Sequence, residues 1–193
     1  MKLDGNYWED RYVNNNTGWD MGKVSPPLKI WLDNQSNKEL KILIPGAGNA
    51  YEVEYAFANG FQNVFLLDIA PTAVTNFKNR NPNFPEANIL LADFFNLEME
   101  FDIIMEQTFF CALDPKIRSR YVSKCHEILK PDGKIVGLQF DFPLTREGPP
   151  FGGSVKEYEE LYSPLFAIHK MERCLDSIEP RQGKELWVEL QVK

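Results

Sequence analysis

The sequence predicts an α/β protein built on a mostly parallel sheet whose last strand runs against the others. Three observations carry this. Short apolar runs alternate with helical patterns, a glycine-containing turn follows the first run, and no helix fits between the last two alternating stretches. A chain of 193 residues is long enough for one domain with a proper core and too short for two comfortable ones. Residues 1–193 are therefore expected to form a single domain, with residues 1–37 as a helical cap.

The elements follow in order. "KILI" (41–44) is a short apolar strand. After a turn comes the helical pattern Val53, Ala56, Phe57, which stops at Gly60, a natural residue just past a helix end. "VFLL" (64–67) is a second strand, and Pro71 opens the next helix where a first turn tolerates proline. "ANILLAD" (87–93) and "FDIIM" (101–105) give strands three and four. Asp114-Pro115 reads as cap and first residue of a helix running to about Leu129. Pro131-Asp132-Gly133 turns the chain into a fifth strand. Ser154 and Glu157 have capping-box spacing for a helix through about Leu161. "FAIHKMERC" and "ELWVELQV" are strands joined by a polar loop, so the final strand is antiparallel. Ahead of all this, Tyr7, Trp8, Tyr12, Trp19 and Trp31 crowd the first 35 residues, with Trp8 and Tyr12 on one face of a short helix.

Composition narrows the function. At 44% hydrophobic and 25% charged the chain reads as an ordinary globular protein. A net charge of -7 provides no basic surplus for phosphates, so nucleic acid is not an expected partner. Cys111, Cys125 and Cys174 are odd in number and lack zinc-type spacing, which predicts neither a disulfide framework nor a metal site. No apolar run reaches the length of a membrane span, and the N-terminus carries acids where a signal peptide is apolar, so a cytoplasmic location is expected.

Open α/β sheets bind ligands beyond the carboxyl ends of their strands. After strand one come Gly46, Ala47 and Gly48, and Asp68 ends strand two. Asp93 and Phe94 follow strand three; Glu106, Gln107, Thr108 and Phe109 follow strand four. Glycines admit a ligand that a Cβ would strike. A carboxylate ending strand two can accept from two ribose hydroxyls. An Asp after strand three can accept from an exocyclic amine, with Phe94 as a ring for adenine. Tyr51 stands where the dinucleotide fingerprint has its third glycine, so the pattern suits an adenosine without a diphosphate. Taken singly, such glycines also serve turns alone and such carboxylates also cap helices. Their placement at three successive strand ends favours a site.

The motifs "YWEDRY…TGWDMGKVSPPL", "IPGAGNAYE", "LLDIA", "ADFF", "FDIIMEQTFFCALDPKIR", "LKPDGKI" and "EGPPF" resemble class I S-adenosylmethionine-dependent methyltransferases. Within that class the chain is similar to the thiopurine S-methyltransferase family, above all its thiol and halide methyltransferase branch, over residues 7 to 190. The resemblance implies a Rossmann-like seven-stranded sheet with an antiparallel last strand, helices on both faces and an aromatic N-terminal cap. It implies S-adenosyl-L-methionine as cofactor, with S-adenosyl-L-homocysteine as product. Cofactor contacts are implied at Trp8, Tyr12, Trp19, Gly46, Gly48, Asp68, Ile69, Asp93, Phe94 and Glu106, and substrate contacts at Phe109, Arg118 and Phe151. Departures from the family pattern are Tyr12 in place of a tryptophan, Asn49-Ala50 where many relatives keep a glycine, and Gln107 where the plant branch tends to have tyrosine.

Transfer of a methyl group from a sulfonium to an anion neutralises two charges, so a dry pocket helps and rings favour the cation. That gives Trp8, Tyr12 and Trp19 a purpose beyond packing the cap. A thiol is already partly ionised near neutrality, so no strong general base is needed and no catalytic residue is assigned. His126 and His169 read as structural, and Cys111 as core or pocket lining. Arg118 reads either as a ligand contact or as an exposed helix residue. "REGPPFGG" (146–153) is a shaped loop in which Phe151 can wall a pocket. The expected function is methyl transfer to a small soft nucleophile (a thiol, thiopurine, halide or metalloid anion) by a monomer with no metal, nucleic-acid or membrane partner. The alternatives are an O- or N-methyltransferase of a small molecule, and an NAD-binding oxidoreductase, against which Tyr51 argues.

Overall fold

Strand β1 (Ile42–Pro45) is buried at every residue, which is why "ILIP" shows no polar alternation. It pairs in parallel with β2 (Val64–Asp68), Ile42 opposite Val64, and β2 pairs in parallel with β3 (Ile89–Leu91), Asp68 opposite Leu91. These strands and the first four helices belong to a compact unit that ends at Leu97; a second unit runs from Glu98 to Lys193. The computed structural model describes residues 2–145 and 147–193.

In the first unit α1 (Gly5–Val13) starts at Asp4, whose side chain accepts from the Tyr7 amide. Helix α2 (Pro26–Asp33) opens on proline, and the Ser25 amide just before it donates to Glu52 Oε1 at 2.9 Å in buried surroundings. Glu52 lies in the first turn of α3 (Tyr51–Ala58), so that bond fixes how α2 meets α3. Helix α4 (Pro71–Arg80) again begins on proline and buries Ala73, Val74 and Phe77. Strand three is shorter than the expected 87–93. Pro85 leads into a 3-10 turn, Glu86–Asn88, and the Asn88 side-chain Nδ2 donates to the carbonyls of Gln62 and Val64, which holds those residues out of the strand.

The second unit orders its strands β4 (Phe101–Gln107), β5 (Leu129–Phe140), β7 (Glu185–Val192) and β6 (Phe166–Arg173). Strands β4 and β5 are parallel, whereas β7 is antiparallel to both β5 and β6, as the missing helix before it predicted. The expected turn at Pro131-Asp132-Gly133 is instead a bulge within β5. Pairing jumps from Phe101–Leu129 to Ile103–Lys134, and Asp132 takes up φ 64°. The helix expected from Asp114 is divided. Asp114 caps a 3-10 turn, Pro115–Ile117, and α5 (Arg118–Ile128) follows it. Helix α6 (Val155–Tyr162) keeps its predicted cap, Ser154 Oγ accepting from the Glu157 amide at 3.4 Å. Rings fill the core: Tyr121, Tyr158, Tyr162, Phe101, Phe110 and Phe166 are buried, with Phe110 edge-on to Tyr121 and Tyr158 at 5.3 and 5.6 Å.

Gly137 in β5 lies opposite Glu106 in β4 with φ 150°, and a Cβ there would stand 2.1 Å from the Glu106 carbonyl oxygen. No side chain fits without parting the two strands. Gly137→Ala is expected to lower unfolding free energy by roughly 2–4 kcal/mol in a urea melt, whereas Gly183→Ala, with open space around it, should cost only its left-handed backbone at φ 72°, about 1–2 kcal/mol.

Candidate active site

The turn after β1 is shaped by left-handed backbone: Gly46, Gly48 and the non-glycine Ala50 have φ of 57°, 59° and 57°. Asp68, ending β2, ties this turn to its own. Its Oδ2 accepts from the Gly48 amide at 2.7 Å and its Oδ1 from the Ala70 amide at 2.8 Å. Burial raises the Asp68 carboxyl above its usual range, and these amides oppose the rise. Each oxygen has capacity left to accept another donor.

Tyr12 closes over the same place. A Cβ on Gly48 would meet the Tyr12 hydroxyl at 2.5 Å. Tyr12 packs with Ala70 and Ala73, and Trp8 and Trp19 pack against that cluster. Trp19 stands edge-on to both Trp8 and Tyr12, at 5.5 and 5.8 Å. Burial and the Asp68 charge push the Tyr12 phenol well up, so it stays a neutral hydroxyl. Thus Trp8, Tyr12, Trp19, Gly48 and Asp68 come together, with Gly46 in the same turn. Ile69 lies beside them, half-exposed, its side chain 3.3 Å from the Cβ position of Gly5. Asp93 and Phe94 follow β3: Asp93 Oδ1 accepts from the Phe95 amide at 2.9 Å, and Phe94 is buried edge-on to Phe95.

Several supporting residues escaped the sequence reading. Glu9 accepts from the Thr72 amide at 2.9 Å and from its hydroxyl at 2.5 Å, fastening α1 to the start of α4. Asn49 bonds to Asp20, Arg80 donates to the Asn49 carbonyl, and the Arg80 guanidinium lies 4.8 Å from the Tyr51 ring centre. Tyr51, at the missing third glycine, is therefore part of a clamp outside the turn. The partners are 63 residues apart in one case and 29 in another, so no local pattern announces them.

In the second unit Glu106 is fully buried, and protein groups engage both its oxygens. Oε1 accepts from the Phe109 and Phe110 amides, each at 2.8 Å, and Oε2 from the Tyr121 hydroxyl at 3.0 Å. Burial raises its carboxyl to about 7. Phe109 is half-buried, 6.0 Å from Tyr121 between ring centres. Arg118 is not an exposed helix residue: it is 7% accessible, its Nη2 donates to the Phe151 and Gly152 carbonyls at 3.3 and 2.9 Å, and it lies 4.5 Å from the Phe110 ring centre. The Phe151 amide donates to Cys111 O at 2.8 Å, so Arg118 and Phe151 do meet. Of the loop 146–153, Arg146 lies outside the described residues. Burial pushes the Cys111 thiol well up, consistent with lining rather than attack.

These side chains suit an adenosyl sulfonium. A carboxylate with spare acceptor capacity, backbone amides and rings can take ribose hydroxyls and a cation. Among the described residues no cluster of His, Cys, Asp and Glu could hold a metal ion, and no helix is long and apolar enough to cross a membrane. Glu9→Ala should loosen α1 by about 1–2 kcal/mol, read as faster amide exchange in residues 5–13 with little change in the second unit.

Comparison with known proteins agrees with this chemistry. A family model described as thiopurine S-methyltransferase matches residues 3–191. A probable thiol methyltransferase of Arabidopsis thaliana is 35% identical over 185 residues, covering 92% of this chain and 81% of that protein. A thiocyanate methyltransferase of Brassica oleracea is 30% identical over 184 residues, with the same coverage of 92% and 81%. Among solved structures, a Burkholderia thailandensis 1,6-didemethyltoxoflavin N1-methyltransferase with S-adenosylhomocysteine superposes with TM-score 0.78 at 18% identity, covering 98% of this chain and 87% of that one. The magnesium protoporphyrin IX methyltransferase of Synechocystis, with bound S-adenosylmethionine, gives 0.73 at 12% identity over 100% and 98%.

Proposed function

The chain belongs to the thiopurine S-methyltransferase family, and from that premise we propose that it methylates small thiols, with other soft anions as secondary acceptors. It is an S-adenosylmethionine-dependent methyltransferase with the seven-stranded mixed sheet of that fold. The observation that carries the site assignment is Asp68: a buried carboxylate bound to the amide of Gly48, against which the Tyr12 hydroxyl lies. The preference for thiols is supported by the Arabidopsis relative at 35% identity.

When bound, S-adenosylmethionine supplies a methyl group carried on positive sulfur. Asp68 holds the ribose hydroxyls, while the turn through Gly46 and Gly48 leaves room for the nucleoside. Asp93 accepts from the adenine amine and Phe94 and Ile69 pack beside the base. Trp8, Tyr12 and Trp19 exclude water and favour the cation through their ring faces. Phe109 and Phe151 wall the acceptor pocket, and Arg118 serves it indirectly by holding the carbonyls of Phe151 and Gly152. The thiol proton leaves to water, since a thiol ionises close enough to neutrality to need no dedicated base. On this reading the whole chain works as one catalytic domain, a cytoplasmic monomer whose net charge of -7 turns away nucleic acid.

S-Adenosylhomocysteine should raise the melting temperature and NAD should not. Asp68→Ala should weaken homocysteine-conjugate binding about tenfold or more in calorimetry; unchanged affinity would remove Asp68 from the site. Labelled methyl groups should pass to small thiols faster than to phenols or amines of similar size. A faster phenol or amine would make this an O- or N-methyltransferase.

A further inference from the structure

Three features converge on the turn that follows β4. The Gln107 side-chain amide is buried with neither its nitrogen nor its oxygen hydrogen-bonded, a condition proteins keep where a ligand or water completes the set. Thr108, a β-branched residue, sits in left-handed backbone at φ 61°, a strain that gathers at functional segments. The next two residues are held by one side chain, Glu106, through their backbone amides. Ligands of open α/β sheets bind at this end of a strand.

Glu106 is poorly suited to touch the cofactor. It is fully buried, its oxygens already serve two amides and a phenol, and Gly137 packs against its backbone. We propose that Glu106 is a positioning residue: its negative charge holds the Gln107–Phe110 turn in the geometry that meets the methyl acceptor, and acceptor binding weakens when it takes up a proton. This rests on the methyltransferase reading above.

The surroundings explain why charge matters. The titratable groups facing Glu106 are Cys111 of the turn, Tyr121 and Cys125 of α5 and Tyr162 of α6, all of them buried, with thiols and phenols pushed up and therefore neutral. The groups acting on Glu106 itself are its burial and then the Phe110 amide, the Tyr121 hydroxyl and the Phe109 amide, with no cation among them. The ionised carboxylate is thus satisfied by charge-assisted hydrogen bonds alone. A proton on Oε2 would turn that oxygen into a donor facing the Tyr121 hydroxyl, which must then redirect its own proton. Both amide bonds to Oε1 would lose their charge assistance in the same step.

The sign for stability is opposite to the usual carboxylate. Burial lifts Glu106 from 4.5 to about 7, so the native state holds the proton more tightly than the unfolded chain. Its contribution to stability therefore falls as pH rises across that window. The turn is held best where the fold gains least from this group, a trade expected of a functional residue and not of a purely structural one.

The test has one arm without activity. In the wild-type protein, backbone amide NMR signals of Phe109 and Phe110 should titrate together near neutral pH, and in Glu106→Gln that titration should vanish. In the second arm, thiocyanate or iodide serves as acceptor because neither titrates. The wild-type KM should fall about threefold to tenfold between about pH 6 and 8, S-adenosylhomocysteine affinity should hold steady, and Glu106→Gln should be flat. Amides that ignore pH, a variant that keeps the wild-type KM profile, or cofactor affinity that follows the same titration would each overturn the proposal. Absence of methyl transfer to any acceptor would instead sink the functional reading, while the NMR arm still decides whether the charge of Glu106 holds the turn.

Discussion

A carboxylate at the end of a strand, accepting backbone amides from the turn that follows, organises this molecule. Asp68 does it for the glycine turn and its own exit, Asp93 for the turn after β3, and Glu106 for the turn after β4. The physical reason is common to all three. A parallel strand ends with amides that have no ladder partner, and an ionised oxygen satisfies them more strongly than water or a neutral acceptor. Each carboxylate thus fixes a loop whose backbone would otherwise have to be satisfied by solvent. The degree of burial then separates them: Asp68 and Glu106 are taken out of water and pushed up, while Asp93 lies in a part-buried bond.

The aromatic cap answers a second constraint. Rings on α1 and the segment after it cannot be satisfied by a short helix alone, so they dock on the small residues Ala70 and Ala73 at the start of α4. Docking covers the very turn that Asp68 organises, the Tyr12 hydroxyl lying against Gly48. Glu9 and Thr72 add direction to that contact, since apolar burial by itself does not choose an orientation.

Much of this was legible in the residues. Alternating apolar runs located every strand, and the absence of a helix before "ELWVELQV" gave the direction of β7. Glycines and acids at strand ends marked Gly48 and Asp68, because the chemistry they bring is local. What was not legible depended on distance in sequence. The Asn88 bonds that shorten β3, the clamp of Asp20, Asn49 and Arg80, and the grip of Arg118 on the Phe151 and Gly152 carbonyls join residues that no window of periodicity compares. Glu106 illustrates the boundary well: its position was readable, but the inward direction of its oxygens follows from Phe109, Phe110 and Tyr121.

The placement of β7 carries a consequence for how the chain is made. Strand β6 finds its partner in β7, and β7 lies between it and β5, so the sheet of the second unit is complete only when the segment Glu185–Val192 arrives. During synthesis, β6 must wait with its edge unpaired although it emerges first. The short stretch between them, turning through Gly183 at φ 72°, and β7 itself limit that wait to about twenty residues of translation, or roughly one to four seconds at ordinary rates. A strand born early and housed late is exposed to other chains in the interval. The charged residues scattered along β6, Lys170, Glu172 and Arg173 among them, discourage it from finding the wrong neighbour.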